Sequence, residues 1–233
     1  MMAHVTHREL IPALTHGVVL VRSARAAAAR GVLIGFHGYA ETAALQMERL
    51  EGIPGSERWT VASIEGLHRF YRGRSQDIVA SWMTRQDREV AIADNLAYVD
   101  AALDQVPHDG ATRIVYAGFS QGVAMAFRAA MAGRERAAGI IAVGGDVPPE
   151  LLQDPSLEFP PVLLIRGARD EWLTEAQFEA DRTALSGRAA ALTTATHQGG
   201  HEWNADVAAA AGRFLESIGG AERSHRRKGE REQ

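Results

Sequence analysis

Short apolar runs of strand length alternate along the chain with longer stretches in which apolar residues recur at helical spacing. Residues 17–22 (GVVLVR), 31–36 (GVLIGF), 59–64 (WTVASI), 113–117 (RIVYA), 138–143 (AGIIAV), 161–165 (PVLLI) and 191–196 (ALTTAT) have strand composition, the last being the weakest. Ile92, Leu96, Val99, Leu103 and Val106 recur at alternating spacings of four and three. That pattern predicts an amphipathic helix, opened by a capping box at Thr84-Arg85-Gln86-Asp87 and stopped at Pro107. Val123, Ala124, Phe127, Ala130 and Met131 predict a buried helix that Gly133 terminates. A second capping box, Thr174-Glu175-Ala176-Gln177, opens a helix ending near Gly187, and Val207, Ala211, Phe214, Leu215 and Ile218 mark a last helix stopped by Gly219. The alanine run at residues 23–30 has helical propensity but is short, so it reads as a connection. Residues 65–84 read as a loop of about 20 residues, longer than an ordinary connection. Its His68, Phe70, Tyr71, Trp82 and Met83 give it too much aromatic content for a disordered linker.

Strand and helix patterns alternate throughout, which predicts an α/β fold with a doubly wound, mostly parallel sheet and helices on both faces. Binding sites in such sheets lie at the carboxyl ends of the strands. One domain is expected over residues 1–220, followed by a disordered polar tail at 221–233. Only residues 144–160, several of them proline or glycine, separate the fifth strand from the sixth, too little chain to build a cap domain.

Composition narrows the function classes. With 46% hydrophobic residues, 233 residues can bury one sizeable core. The absence of cysteine excludes disulfides and thiolate metal sites and suits a reducing compartment. No apolar stretch approaches the roughly 20 residues of a membrane span, and the start MMAHVTHREL lacks a signal peptide's apolar segment. A soluble, cytoplasmic protein is therefore expected, as a monomer or homodimer. The net charge of −4, without a basic face in the body of the chain, argues against a nucleic-acid partner. Lys228 is the only lysine and alanine is abundant, a bias of GC-rich, bacterial genomes.

The chemistry centres on Gly118-Phe119-Ser120-Gln121-Gly122, between an apolar strand and a small-residue helix. The G-x-S-x-G spacing in that setting predicts a strained elbow that exposes the serine hydroxyl above the sheet. A serine hydroxyl becomes a useful nucleophile when a histidine accepts its proton and a carboxylate orients that histidine. In chain order the sequence offers Ser120, then Asp170 beyond a strand, then His201 beyond the last strand. Asp146 is a rival acid, and His37, His68 and His197 are rival bases. His197 and His201 also have the H-x-x-x-H spacing of metal ligands, but Gly199-Gly200 would break the helix that such a site needs. No metal or cofactor is therefore expected. The oxyanion of acyl transfer needs two backbone donors, one after the serine and one after an earlier strand, and Gln121 and Tyr39 stand at those places.

These motifs resemble the phospholipase/carboxylesterase family of α/β-hydrolases, which includes small bacterial carboxylesterases and acyl-protein thioesterases. The resemblance spans roughly residues 17–218 and rests chiefly on GFSQG at 118–122. Phe36-His37-Gly38, Ser81-Trp82, Gly167-x-x-Asp170 and Gly200-His201 support it. It implies an α/β-hydrolase fold, a triad of Ser120, Asp170 and His201, which selects Asp170 over Asp146, and oxyanion donors at Tyr39 and Gln121. Tyr39-Ala40-Glu41 stands where acyl-protein thioesterases usually show Leu-Gly-Asp, Val123 replaces a glycine, and Arg166 and Glu171-Trp172 replace a usual His and Pro-x. These departures weigh against long-acyl substrates and leave Trp82, Met83 and Trp172 to wall a compact substrate pocket. The expected function is that of a serine carboxylesterase acting on small-molecule esters. A thioesterase or lysophospholipase with the same triad is the alternative, and a ligand receptor on a hydrolase fold the reading from another class.

Overall fold

The computed structural model describes residues 7–25 and 29–220. The tail expected at 221–233, the first six residues and the middle of the alanine run lie outside the described residues. In chain order the elements are β1 (Val19–Arg22), β2 (Val32–Phe36), α1 (Ala43–Glu51), β3 (Thr60–Ile64), β4 (His68–Tyr71), β5 (Ile78–Ser81), α2 (Arg88–Leu103), β6 (Ile114–Phe119) and α3 (Gln121–Ala132). They continue with β7 (Ala137–Val143), α4 (Pro149–Leu152), β8 (Val162–Gly167), α5 (Glu175–Leu185), β9 (Leu192–His197) and α6 (Ala205–Gly220).

One sheet runs β1-β3-β2-β6-β7-β8-β9, with β1 antiparallel to β3 and the other pairs parallel. Side chains alternate across it, so each inner strand serves two cores. Ile34, Phe36, Tyr116, Ile140, Ala142 and Leu164 pack toward α2, α3 and α5. Leu33, Val115, Ala117, Ile141, Val143 and Leu163 pack toward α1 and α6. Burial on both faces is why these strands read as continuous apolar runs rather than alternating ones.

Four expectations need correction. The loop expected at 65–84 carries an antiparallel hairpin, β4 with β5, and Ala80 of β5 bridges Glu41. The capping box at Thr84 does not form: α2 begins at Arg88 behind Asp87, whose side chain makes no cap hydrogen bond. Arg8 takes the Asp87 carboxylate, and Thr84 Oγ1 accepts the Gln86 N–H in a local turn. The helix also ends at Leu103, before Val106. Gly219 does not stop α6, which continues through it to Gly220. The box at Thr174 and Gln177 forms in full, with both reciprocal hydrogen bonds.

Between β7 and β8 stands only α4, and no cap domain covers the sheet's carboxyl edge. Asp181 of α5 fixes the strap after β7: it is 8% exposed, and its Oδ2 accepts the Val147 N–H at 2.9 Å. Burial first, and the charge of Asp146 second, push its pKa up to about 6. The folded chain thus holds a proton there that the unfolded chain releases near pH 4, so stability falls as pH rises from about 4 through 6. Asp181→Asn keeps the acceptor oxygen and removes the buried charge. It should stabilise the protein at pH 8 by on the order of 2 kcal/mol after solvent screening, with the gain vanishing near pH 4. Urea denaturation of both proteins at the two pH values measures this, and an equal gain at both would refute it.

Candidate active site

The carboxyl ends of β2, β6, β7, β8 and β9 share one edge of the sheet, and each delivers one part of the site. β6 leads into Ser120 at φ 51° and ψ −120°, a strained conformation for a residue with a side chain. The Ser120 N–H donates to Val143 C=O at 2.9 Å, and its own carbonyl accepts from Val123 N at 3.0 Å. Close packing demands the flanking glycines. A Cβ on Gly118 would lie 2.4 Å from Gly122 O, and one on Gly122 would lie 2.1 Å from Phe36 O. The turn is thereby pressed against β2, and the hydroxyl is left projecting over the sheet edge.

His201 Nε2 is 2.9 Å from Ser120 Oγ, and His201 Nδ1 is 2.9 and 3.1 Å from the two oxygens of Asp170. The Asp170 side chain is 1% exposed, and its Oδ1 accepts the N–H groups of Trp172 and Leu173 at 2.9 and 3.0 Å. Arg166, a departure from the family pattern, is buried and donates from Nε to Leu173 C=O, tying the acid loop down. The Phe119 ring lies 5.1 Å from the His201 ring, and Gly144 at φ 63° leaves room beside the imidazole.

The loop after β2 is held from two sides. Glu41 accepts the Gly38 N–H at 2.8 Å and forms a two-pronged pair with Arg49 at 2.6 and 2.7 Å, while the Arg49 guanidinium lies 4.2 Å over the Phe119 ring. Glu41 in place of the usual aspartate thus joins this loop to the elbow. On the other side, Ala40 N–H donates to Ala80 C=O. Neither the Tyr39 nor the Gln121 N–H donates to a protein acceptor among the described residues. The Gln121 side chain is otherwise engaged: Oε1 accepts Trp82 N–H at 3.0 Å and Nε2 donates to Met83 C=O at 2.9 Å.

The rival groups sit elsewhere. His37 is fully buried, and Gly66 N–H donates to its Nε2 at 2.9 Å, which assigns the proton to Nδ1 and a hydrogen bond from there to Gly38 C=O. Burial lowers its pKa, so it is neutral. His68 is exposed on β4. His197 is buried, with Nδ1 near Gly199 N–H and Asn204 Nδ2, and no group of three or more His, Cys, Asp or Glu that could hold a metal ion gathers among the described residues. Asp146 is exposed and hydrogen-bonds no histidine among the described residues.

Ser120 opens on a cleft of about 570 Å³. Trp82, Met83 and Trp172 all line it, in different ways. The Trp82 ring is fully buried, edge-on to Phe36 at 5.4 Å with Nε1 bonded to His37 C=O, and so underlies the cleft floor. Trp172 is 78% exposed at the rim, 6.3 Å from the His201 ring. Arg85, Arg88, Ala124, Arg128 and Leu173 also line the cleft and escaped the sequence reading. For Ala124 and Arg128 a signal existed, because they follow Ser120 at helical steps of four residues.

Sheet order, elbow and uncapped edge define an α/β-hydrolase. The model of the phospholipase/carboxylesterase family matches residues 19–217, and the chain belongs to that family. Solved structures agree on the fold. Esterase PE8 is 22% identical with a TM-score of 0.70, over 88% of this chain and 100% of the other. The Bacillus cereus carboxylesterase is 17% identical with a TM-score of 0.67, over 87% and 94%. Zea mays acyl-protein thioesterase 2 is 16% identical with a TM-score of 0.64, over 88% and 100%. No curated protein matches the sequence.

Proposed function

We propose that this hydrolase is a serine carboxylesterase that cleaves short- to medium-chain carboxylic esters through an acyl-enzyme on Ser120. The observation that carries the reading is the unbroken hydrogen-bonded chain from Ser120 Oγ through His201 to Asp170. Ser120 Oγ attacks the ester carbonyl while His201 Nε2 takes its proton. The oxyanion forms beside the N–H groups of Tyr39 and Gln121, which donate to no protein acceptor among the described residues. His201 then returns the proton to the departing alkoxide, and the alcohol leaves. A water molecule, deprotonated by His201, attacks the acyl-enzyme and releases the carboxylic acid. Asp170 holds the imidazole in the tautomer that presents a bare Nε2 to the serine.

The uncapped cleft sets the chain-length preference. Its lining combines the apolar Ala124, Met83 and Leu173 with the guanidinium groups of Arg85, Arg88 and Arg128. An acyl chain gains roughly 0.8 kcal/mol per buried methylene until it reaches those guanidinium groups, beyond which further carbons must desolvate charge. kcat/KM should therefore peak at short to medium acids on a panel of esters and thioesters. With no lid to displace, the rate should show no jump when a substrate passes its solubility limit. Preference for sixteen-carbon over four-carbon chains, faster thioester than ester cleavage, or activation at an oil–water interface would each overturn this reading.

A further inference from the structure

Two arginines that line the cleft share one carboxylate partner, Glu150. Ser120, just before α3, and Ala124 and Arg128, one turn apart on it, line the same cleft, yet Arg128 is only 2% exposed. Its Nε donates to Glu150 Oε1 at 2.8 Å, and one terminal nitrogen donates to the Met83 thioether at 3.6 Å, its one acceptor among the described residues. The other lies 2.7 Å from the same Glu150 oxygen but makes no hydrogen bond to it in that geometry. Arg88 takes the second Glu150 oxygen at 3.1 Å and also rests against Met83 Sδ, at 3.9 Å. A thioether is a weak acceptor, whereas a guanidinium fork fits the two oxygens of a carboxylate. Arg85, Arg88, Arg128 and Asp146 line this cleft, while Glu150, the partner of Arg88 and Arg128, lies outside its lining. Tying α3 to α4 would need Glu150 and one arginine. That leaves unexplained the second arginine and the Arg128 terminal nitrogen whose acceptor is a thioether.

We propose that Arg128 and Arg88 form a seat for a carboxylate carried by the substrate, so that the preferred substrates are short esters bearing a carboxylate a few carbons from the scissile bond. The proposal rests on the esterase reading and names its substrate class. Eight residues of helix give about 12 Å of rise between Ser120 and Arg128, and a helical arginine leans back toward the N-terminus. A spacer of a few methylenes therefore bridges the hydroxyl and the seat.

Initial rates on two matched pairs test this in the full chain. Monomethyl glutarate against dimethyl glutarate puts the carboxylate on the acyl side; 4-acetoxybutyrate against its methyl ester puts it on the alcohol side. In the wild type, kcat/KM for at least one anionic member should exceed that of its neutral partner by about tenfold or more, and the pair that responds identifies the side. The ratio should fall by about tenfold in Arg128→Met and several-fold in Arg88→Gln, a change at an exposed position that keeps the test open if the buried variant does not fold. A ratio of one or less for both pairs, or ratios unchanged in the variants, would overturn the proposal while leaving neutral-ester turnover to support the esterase reading. Calorimetric titration of glutarate separates the two further. Binding that is lost in Arg88→Gln, in a protein that turns over no ester, would uphold the anion seat and refute the esterase.

Discussion

Ser120→Ala is expected to lower kcat for a chromogenic short-chain ester by about 10⁵- to 10⁶-fold, with the fold intact. The backbone at Ser120 is held by neighbours, through its N–H to Val143 and its carbonyl to Val123, and alanine meets the same strain at φ 51° as serine. What disappears is the oxygen that His201 Nε2 meets at 2.9 Å, and with it the acyl-enzyme. An organophosphate should add one adduct to the wild type, located on Ser120 by peptide mass mapping, and none to the variant. Near-wild-type hydrolysis by Ser120→Ala, in a preparation free of other esterases, would end the triad assignment.

Asp170→Asn should lower kcat by about 10³- to 10⁴-fold, for a reason the hydrogen bonds make specific. Oδ1 is committed to the N–H groups of Trp172 and Leu173, so the asparagine must keep its carbonyl oxygen there and turn its NH₂ toward His201 Nδ1. A donor facing Nδ1 forces the ring proton onto Nε2, where it faces the serine hydroxyl and blocks its deprotonation. Asp146→Asn, changed at an exposed residue with no bond to a histidine among the described residues, should cost less than about tenfold. Parallel kinetics with circular dichroism as a folding control measure both. The reverse ranking would transfer the acid role to the strap after β7.

The sheet was readable because parallel strands buried on both faces must be apolar at successive positions, a demand that needs no knowledge of partners. Ser120 was readable for a related reason. Gly118 and Gly122 are spaced for backbones that approach too closely for any Cβ, and that constraint is written locally. The chain order of Ser120, Asp170 and His201 narrowed the choice without closing it, since Asp146 and three other histidines also follow strands or turns. Selection among them needs the register that brings Gly167 opposite His197 and Phe119 opposite Val143, which no stretch of sequence carries.

The same limit explains the errors at 65–88. The β4–β5 hairpin hides in a long connection because its second strand is anchored by Ala40 and Glu41, far away in sequence. The expected cap of α2 fails because Arg8, distant in sequence from Asp87, competes for the capping carboxylate. Trp82 and Trp172 are chemically identical in the sequence, yet one is buried beneath the cleft floor and the other is exposed at its rim. Sequence by itself determined the alternation of strand and helix, the elbow and the set of groups from which a triad can be drawn, because periodicity and close backbone contact are local properties. Tertiary structure decided which histidine lies beside Ser120 and which carboxylate lies beside that histidine, which aromatic residues touch the cleft and that Arg128 turns inward, because those outcomes depend on competition between partners that only folding brings within hydrogen-bond reach.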